Sequence, residues 1–582
     1  MKKKKKLSRF NAYLCFFLCL FILLGSISII EKSPTFDEPL HLADGIANFK
    51  FLKFRFGIEH PPFLRLMAAL PSFFYELKFP ASKELIRKKS EVKIKNWSPV
   101  KDFTFAKRFF YLFNPDKTEA LFFLGRFAIL LLGIPLFFVI ERWTKHLYGE
   151  RRALITLILL ALTPNILAHA RLITTDFGSS VFIVCGAYFL WKFTGNLRKK
   201  HFLLSAFFWG LALVSKYSAI FFFIVFHITA FFYTKSKKKF FYFFLLEIPV
   251  LVFMINACFF FTEPVGRNFF RDENLSFIPG YARIPVLFFS KFLLIPEIYT
   301  RGIFYSFYHS LRGHGTYLIG RYSNLGWWYY FPLAFLIKST TTFLFLFVLS
   351  ILSLKKRKLS KDEIFFIIPS VLFLLFMMKS HLNIGVRHIL ILWMFGAVFC
   401  ARSGVFIRKK FIIFVYVFAL FENLFVFPHY ISQINLFLGG PKKGYKYLAD
   451  SNLDWGQDLK ILSKWWKRQK RPLLILSYFG TGEPFFYGME FVNCLSLSVP
   501  GIYEILPQKN SHQKFFAISV TNLLGVYRWN KDLFAYFRDK KPDARAGYSI
   551  YIYDITDDLK AQKILKGIFK AQGRDEIVKK YF

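Results

Sequence analysis

The chain is short of cysteine and of acid. Six cysteines in 582 residues, at 15, 19, 185, 258, 400 and 494, form no CxxC pair, and five lie in apolar runs. They read as small hydrophobes, which excludes a disulfide framework or a thiolate metal site. Asp and Glu number 36 against 80 Lys and Arg, a formal charge of +44. Such an excess ordinarily suggests a nucleic-acid partner. Here the basic residues cluster in short runs between apolar stretches, at 2–6, 198–200, 235–239, 355–358 and 408–410. That is how Lys and Arg distribute on the cytoplasmic side of a membrane, and it sets nucleic acid aside. There is no internal repeat and no extended low-complexity linker, and the C-terminal stretch holds no P-loop, GxGxxG or HExxH motif.

Apolar residues are what the chain has in excess: 55% hydrophobic, 21% aromatic, 81 Phe and a mean hydropathy of +0.37. Ordinary soluble domains are less apolar. Runs of spanning length occur near 10–30, 119–140, 152–169, 172–194, 202–217, 218–233, 240–262, 326–353, 363–380, 387–406 and 410–429. A hydrocarbon core needs roughly 20 such residues. No clear small-x-small cleavage site follows the first run, which reads as a retained anchor. With the N-terminus inside, the basic loops at 141–151, 195–201, 234–239, 354–362 and 407–409 all fall on the cytoplasmic face.

The expectation is a polytopic α-helical protein of the inner (plasma) membrane, with about eleven transmembrane helices. An anchor at 1–30 precedes a first extracytoplasmic loop at 31–118, which has a Lys-rich middle and includes one or two interfacial amphipathic helices. A multi-span core at 119–430 and a soluble extracytoplasmic α/β domain at 441–582 follow. In that domain 471–480, 514–527 and 547–555 read as strands. Segments 454–469 and 530–539 read as helices, the first capped by Asp450, Ser451 or Asn452.

The outer face collects the polar chemistry. Asp37 and Glu38 stand where the first run reaches water, and Glu59-His60-Pro61-Pro62 follows. Acids at such a boundary are costly to desolvate and point to function. Outer turns carry His169, Arg171, Asp176, Lys216, Arg301, His314, Arg321, Arg387 and His388. Arg126 sits about two turns into its run. Each has a plainer reading. Asp37 and Glu38 would cap a helix, and His60-Pro61-Pro62 would be a rigid helix entry. Asp176 would pair with Arg171 or cap its helix, and Lys216 and Arg387 would snorkel to headgroups. His169, His314 and His388 have no metal-ligand spacing, and a divalent metal stays an open question.

The stretch TFDEPLHLADGIANFKFLKFRFGIEHPPFLRLMAALP resembles the first luminal loop of the protein O-mannosyltransferase family and its bacterial relatives. Arg126, the ITTD ending at Asp176, GLALVSKYSAI around Lys216 and GVRH at 385–388 resemble the wider group of membrane-embedded (GT-C type) glycosyltransferases that use polyprenyl-phosphate sugars. The resemblance covers about residues 10–430, and DSNLDWGQDL at 450–459 is similar to an element of bacterial members with an extra C-terminal domain. It implies a GT-C-like fold and transfer of a sugar from a polyprenyl phosphate to a hydroxyl of a protein or glycolipid acceptor, with inversion. Such a reaction needs a base for the acceptor proton. It also needs cations for the leaving phosphate. Asp37 would be the base, with Glu38 beside it. Glu59, His60 and Asp176 would position acceptor or base, and Arg126, Lys216, Arg387 and His388 would bind the donor phosphate. A transporter or lipid flippase is the alternative, which requires charges near the midplane and repeated halves. A non-catalytic scaffold is a third reading.

Overall fold

The computed structural model describes residues 2–80, 98–265, 275–405, 408–508 and 511–582. Every apolar run becomes a helix or a pair of helices. Four described helices are long and apolar enough to cross a membrane: Asn11–Glu31, Pro115–Tyr148, Thr175–Asn196 and Lys237–Cys258. Two further pairs satisfy the same test only when taken together across a bend, 54° between Glu150–Leu162 and Pro164–Ala170 and 116° between Tyr330–Lys338 and Thr341–Lys355. The eleven-span expectation therefore meets four spans by length and composition, or six with the bent pairs. Runs such as Ala219–Tyr233 are shorter helices. The bends have local causes. Pro164 supplies no N–H to continue the preceding helix, and the Thr340 hydroxyl caps the second arm by accepting from Phe343 N at 3.3 Å.

Thr175–Asn196 is the central helix, with 89% of its apolar window buried. Its neighbours Gly133–Tyr148, Lys199–Leu213 and Ala219–Tyr233 enclose it. The Asp37 end of the first loop enters the helix Glu38–Phe51, and the Pro61-Pro62 turn enters Phe63–Ala69. Within the first loop the described helices are Glu38–Phe51, Phe63–Ala69 and Val100–Lys107, and part of the Lys-rich middle, 81–97, lies outside the described residues.

A hairpin of β1 (Thr316–Leu318) and β2 (Arg321–Ser323) is antiparallel. The C-terminal stretch builds a five-stranded mixed sheet from β3 (Leu473–Ser477), β4 (Val492–Asn493), β5 (Lys514–Ser519), β6 (Ala544–Ala546) and β7 (Ile550–Asp554), ordered β4-β3-β5-β7-β6. β3 is parallel to β4 and β5, and β7 is antiparallel to β5 and β6. Three expectations need correction. The helix expected at 530–539 is confined to Ala535–Asp539. The strand expected at 514–527 ends at Ser519, and Val520–Leu523 is a helical turn whose Thr521 N–H is taken by the Asp454 carboxylate at 2.8 Å. The helix expected from residue 454 starts at Leu459, and Asp450–Asn452 forms its own 3-10 turn. Gly456 turns the chain between them at φ +85°, and a Cβ there would meet Gly480 Cα at 3.0 Å.

Candidate active site

Residues from four separate segments meet where the membrane helices end. Arg387 Nη1 donates to Asp37 Oδ2 at 3.0 Å and lies 3.8 Å from Asp176 Oδ2. Lys216 Nζ closes the chain on Asp176 Oδ1 at 2.5 Å. Asp176 is spent on these two cations and is 3% exposed, whereas Asp37 keeps 26% of its side chain open. Asp37 occupies the N-cap position of Glu38–Phe51, yet its side chain makes no capping hydrogen bond. Burial raises its carboxyl above the ordinary aspartate value; Arg387 opposes this, while Asp450 and Asp176 add to it.

Glu38 and Arg126 form a second, sealed unit. The Arg126 fork meets both Glu38 oxygens at 2.7 Å and also donates to the carbonyls of Ile29, Lys32 and Ser33. Glu38 also accepts from Ile173 N at 3.0 Å and from the N–H and hydroxyl of Thr35. Burial pushes the Glu38 carboxyl up, and Arg126 with these donors holds it below its ordinary value. Glu38 is 0% and Arg126 2% exposed.

Glu59 joins a third group, 4.0 Å from Arg65 Nη2, whose Nη1 donates to Gly57 O and to Asp44. His60 lies beside His41, ring centroids 5.8 Å apart. Burial, then the Arg65 charge, hold both imidazoles well below their ordinary value, so both are neutral at neutral pH. The Nε2 of His388 and the Nε of Arg387 are buried without a hydrogen-bond partner among the described residues. Among the described residues no three His, Cys, Asp or Glu side chains gather as a metal set.

The sequence reading gave 450–452 only a capping role, but the whole 450–459 element reaches into the site. Its backbone runs along the Asp37 loop, with Phe36 N on Trp455 O at 2.8 Å and Ser33 N on Gln457 O at 3.1 Å. Asn452 Oδ1 accepts from Val386 N at 2.9 Å, beside Arg387. The Arg387 guanidinium stacks over the Trp455 ring at 4.3 Å, and Lys32 pairs with Asp458 in full burial. Three acids, two amides and a tryptophan within ten residues at the end of the membrane core were the available signal. Trp455→Leu is expected to lower kcat/KM about 2- to 30-fold, the equivalent of ~0.5–2 kcal/mol of cation–π contact, with Trp455→Phe keeping most of the activity. An unchanged kcat/KM in the leucine variant would remove Trp455 from the site.

Asp454, behind this element, has its carboxyl pushed up to about 8 by burial, against the Thr521 and Gly456 hydrogen bonds. Below the unfolded value of 3.8 both states hold the proton; above it only the folded state does, until about 8. Stability is then lost as pH rises across that window. Asp454→Asn is expected to remove this decline in thermal unfolding measured from acid to alkaline pH. Parallel profiles for the two proteins would count against it.

Residues 103–259 match the family model of the dolichyl-phosphate-mannose-protein mannosyltransferases. No curated protein matches by sequence. Among solved structures, ArnT from Cupriavidus metallidurans in the apo state is 10% identical, with 94% of this chain and 98% of that one covered and a TM-score of 0.47. The same protein bound to undecaprenyl phosphate is 11% identical at the same coverage, with a TM-score of 0.46. The Archaeoglobus fulgidus oligosaccharyltransferase in the apo form is 11% identical, covering 81% of this chain and 63% of that one, TM-score 0.39. At those scores the three carry no residue assignment. The first loop, by its Asp-Glu and His-Pro-Pro elements, and the helices after it, by the match over 103–259, share one likeness: the chain resembles the protein O-mannosyltransferase-like glycosyltransferases of membranes.

Proposed function

We propose that the protein transfers a sugar from a polyprenyl-phosphate donor to a hydroxyl on the extracytoplasmic face, with Asp37 as general base. The observation that carries this is the unequal treatment of the two aspartates around Arg387. Asp176 is saturated by cations, whereas Asp37 touches Arg387 through one oxygen and stays partly open to an incoming group. The family-model match, whose description names a dolichyl-phosphate mannose, supports the donor class.

In the reaction the acceptor oxygen attacks C1 as its proton passes to Asp37, and the C1–O bond to the phosphate breaks. The electron pair leaves on the lipid phosphate, which needs no proton. A single displacement inverts C1. Arg387, through the Nε that has no hydrogen-bond partner among the described residues, and Lys216 hold the phosphate. Asp176 keeps the two cations apart and aimed. His60, neutral, orients the acceptor hydroxyl, and His388 Nε2 adds a donor at the phosphate. Glu38 and Arg126 hold the Asp37 loop and do no chemistry, and Glu59 serves the corner that carries His60. The N-terminus is cytoplasmic, and the sheet-bearing stretch stands outside the plasma membrane.

The test is transfer of label from a panel of radiolabelled polyprenyl-phosphate hexoses and pentoses by protein in nanodiscs. Wild type is expected to label an acceptor from at least one donor. Lys216→Met is expected to raise the donor KM about 10- to 150-fold, the equivalent of ~1.5–3 kcal/mol for a charged hydrogen bond. The reading fails if no donor in the panel is transferred.

A further inference from the structure

A cavity of about 650 Å³ opens between the helix Glu297–Arg312, the segment after it and the C-terminal unit. Its walls carry Tyr305, Tyr308, His309, His314, Asn324 and Tyr527. A row of rings joins it to the Asp37 loop. Phe36 packs on Phe479 at 5.1 Å, Phe479 stacks on Tyr527 at 5.8 Å, Tyr527 meets His314 edge-on at 5.2 Å, and His314 lies 5.9 Å from His309. The Tyr527 hydroxyl donates to Asp450, whose charge acts on both Asp37 and Arg387. The wall helix is tied to the His60 corner by Ser306 Oγ, which donates to Glu59 O at 3.1 Å.

We propose that this cleft is the acceptor subsite and that the acceptor it takes is a saccharide, the sugar end of a glycan. This rests on the reading of Asp37 as a transferase base. The lining alternates ring faces with hydroxyl, imidazole and amide edges and one guanidinium, that of Arg312, and no carboxylate is among the described residues that line it. A pyranose presents the same two kinds of surface, C–H faces that lie on rings and hydroxyls that need donors and acceptors at the edges. The volume suits a small ligand. Burial, with His314, Arg312 and Arg387 adding to it, pushes the His309 imidazole down to about 4, so it offers a neutral donor and a neutral acceptor. A polypeptide acceptor fits less well, because extended chains are commonly held along a strand edge and no lining residue lies in β1, β2 or the sheet.

The experiment uses the full chain in nanodiscs. Binding of mannobiose, cellobiose, chitobiose and their tetramers is compared with that of a Ser/Thr-rich peptide, without donor. Acceptor KM is then measured with the donor that transfers. Wild type is expected to bind a saccharide and not the peptide. Tyr308→Ala and His309→Ala are expected to raise the saccharide Kd and KM tenfold or more with an unchanged donor Kd. Tyr308→Phe, which keeps the ring face and the fold, is expected to retain binding. Peptide binding in place of saccharide, or unchanged acceptor constants in folded alanine variants, would overturn the proposal while leaving Asp37 in its role. If no donor is transferred at all, the function above fails. The cleft is then decided by binding alone: saccharide affinity lost in Tyr308→Ala and kept in Tyr308→Phe supports it, and no such difference ends it.

Discussion

Asp37→Asn is expected to lower transfer by about 10²–10⁴-fold, the usual range for loss of a general base, while donor binding persists. Asparagine has the same shape and keeps an oxygen for Arg387 Nη1, so the 3.0 Å contact survives. What is lost is proton affinity. The pH profile gives a second readout. The carboxylate form is the active one, so kcat/KM falls as pH drops through the Asp37 value. Burial places that acid limb above the ordinary aspartate value of 3.8, with Arg387 working against the shift. In Asp37→Asn the limb should vanish. A variant that transfers as fast as wild type would reduce Asp37 to a helix-terminal residue, a role its side chain does not fill here.

The largest expected effect on stability belongs to Glu38 and Arg126. Arg126→Met strands a carboxylate that is fully buried and bonded on both oxygens. Breaking a buried pair from one side costs about 3–5 kcal/mol. The expected result is a large fall in Tm and in the yield of folded protein, with little change in donor KM for what remains. The double variant Glu38→Met/Arg126→Met is expected to recover much of the Tm, since apolar replacement of both partners removes the stranded charge. A normal Tm with a raised donor KM in Arg126→Met would instead make Arg126 a phosphate ligand.

These two outcomes separate residues that look alike in the sequence. Asp37 and Glu38 are adjacent acids at the same boundary. The start of Glu38–Phe51 turns one toward Arg387 and the other toward Arg126, and nothing local to the pair distinguishes them. The cations divide the same way. Arg126, Lys216 and Arg387 were all read as phosphate-binding cations near the outer ends of their apolar runs, Arg126 about two turns in. Arg126 meets five protein acceptors, whereas Arg387 retains an unpartnered nitrogen. The bent helices escaped the hydropathy pattern because an apolar run looks the same whether it is straight or turned by 116° at Ser339. In the C-terminal stretch β3 was legible as a short apolar run after Pro472, and β7 from its alternating Ile and Tyr. The short edge strands β4 and β6 were not, since two and three residues carry too little pattern.

Composition and motif order, acting alone, determined a helical membrane-type chain, an acid pair at its first boundary, cations at the ends of later runs, and a sheet-forming tail. These properties are set by local chemistry: transfer of apolar side chains out of water and the spacing of residues along one segment. Only the tertiary structure decided which carboxylate meets which cation and which oxygen stays open. It also laid the 450–459 element along the Asp37 loop and set Trp455 under Arg387. Those pairings join residues distant in sequence, 40 positions apart for Asp176 and Lys216 and 350 for Asp37 and Arg387, and their strength depends on burial, which is a property of the packed molecule and of no single segment.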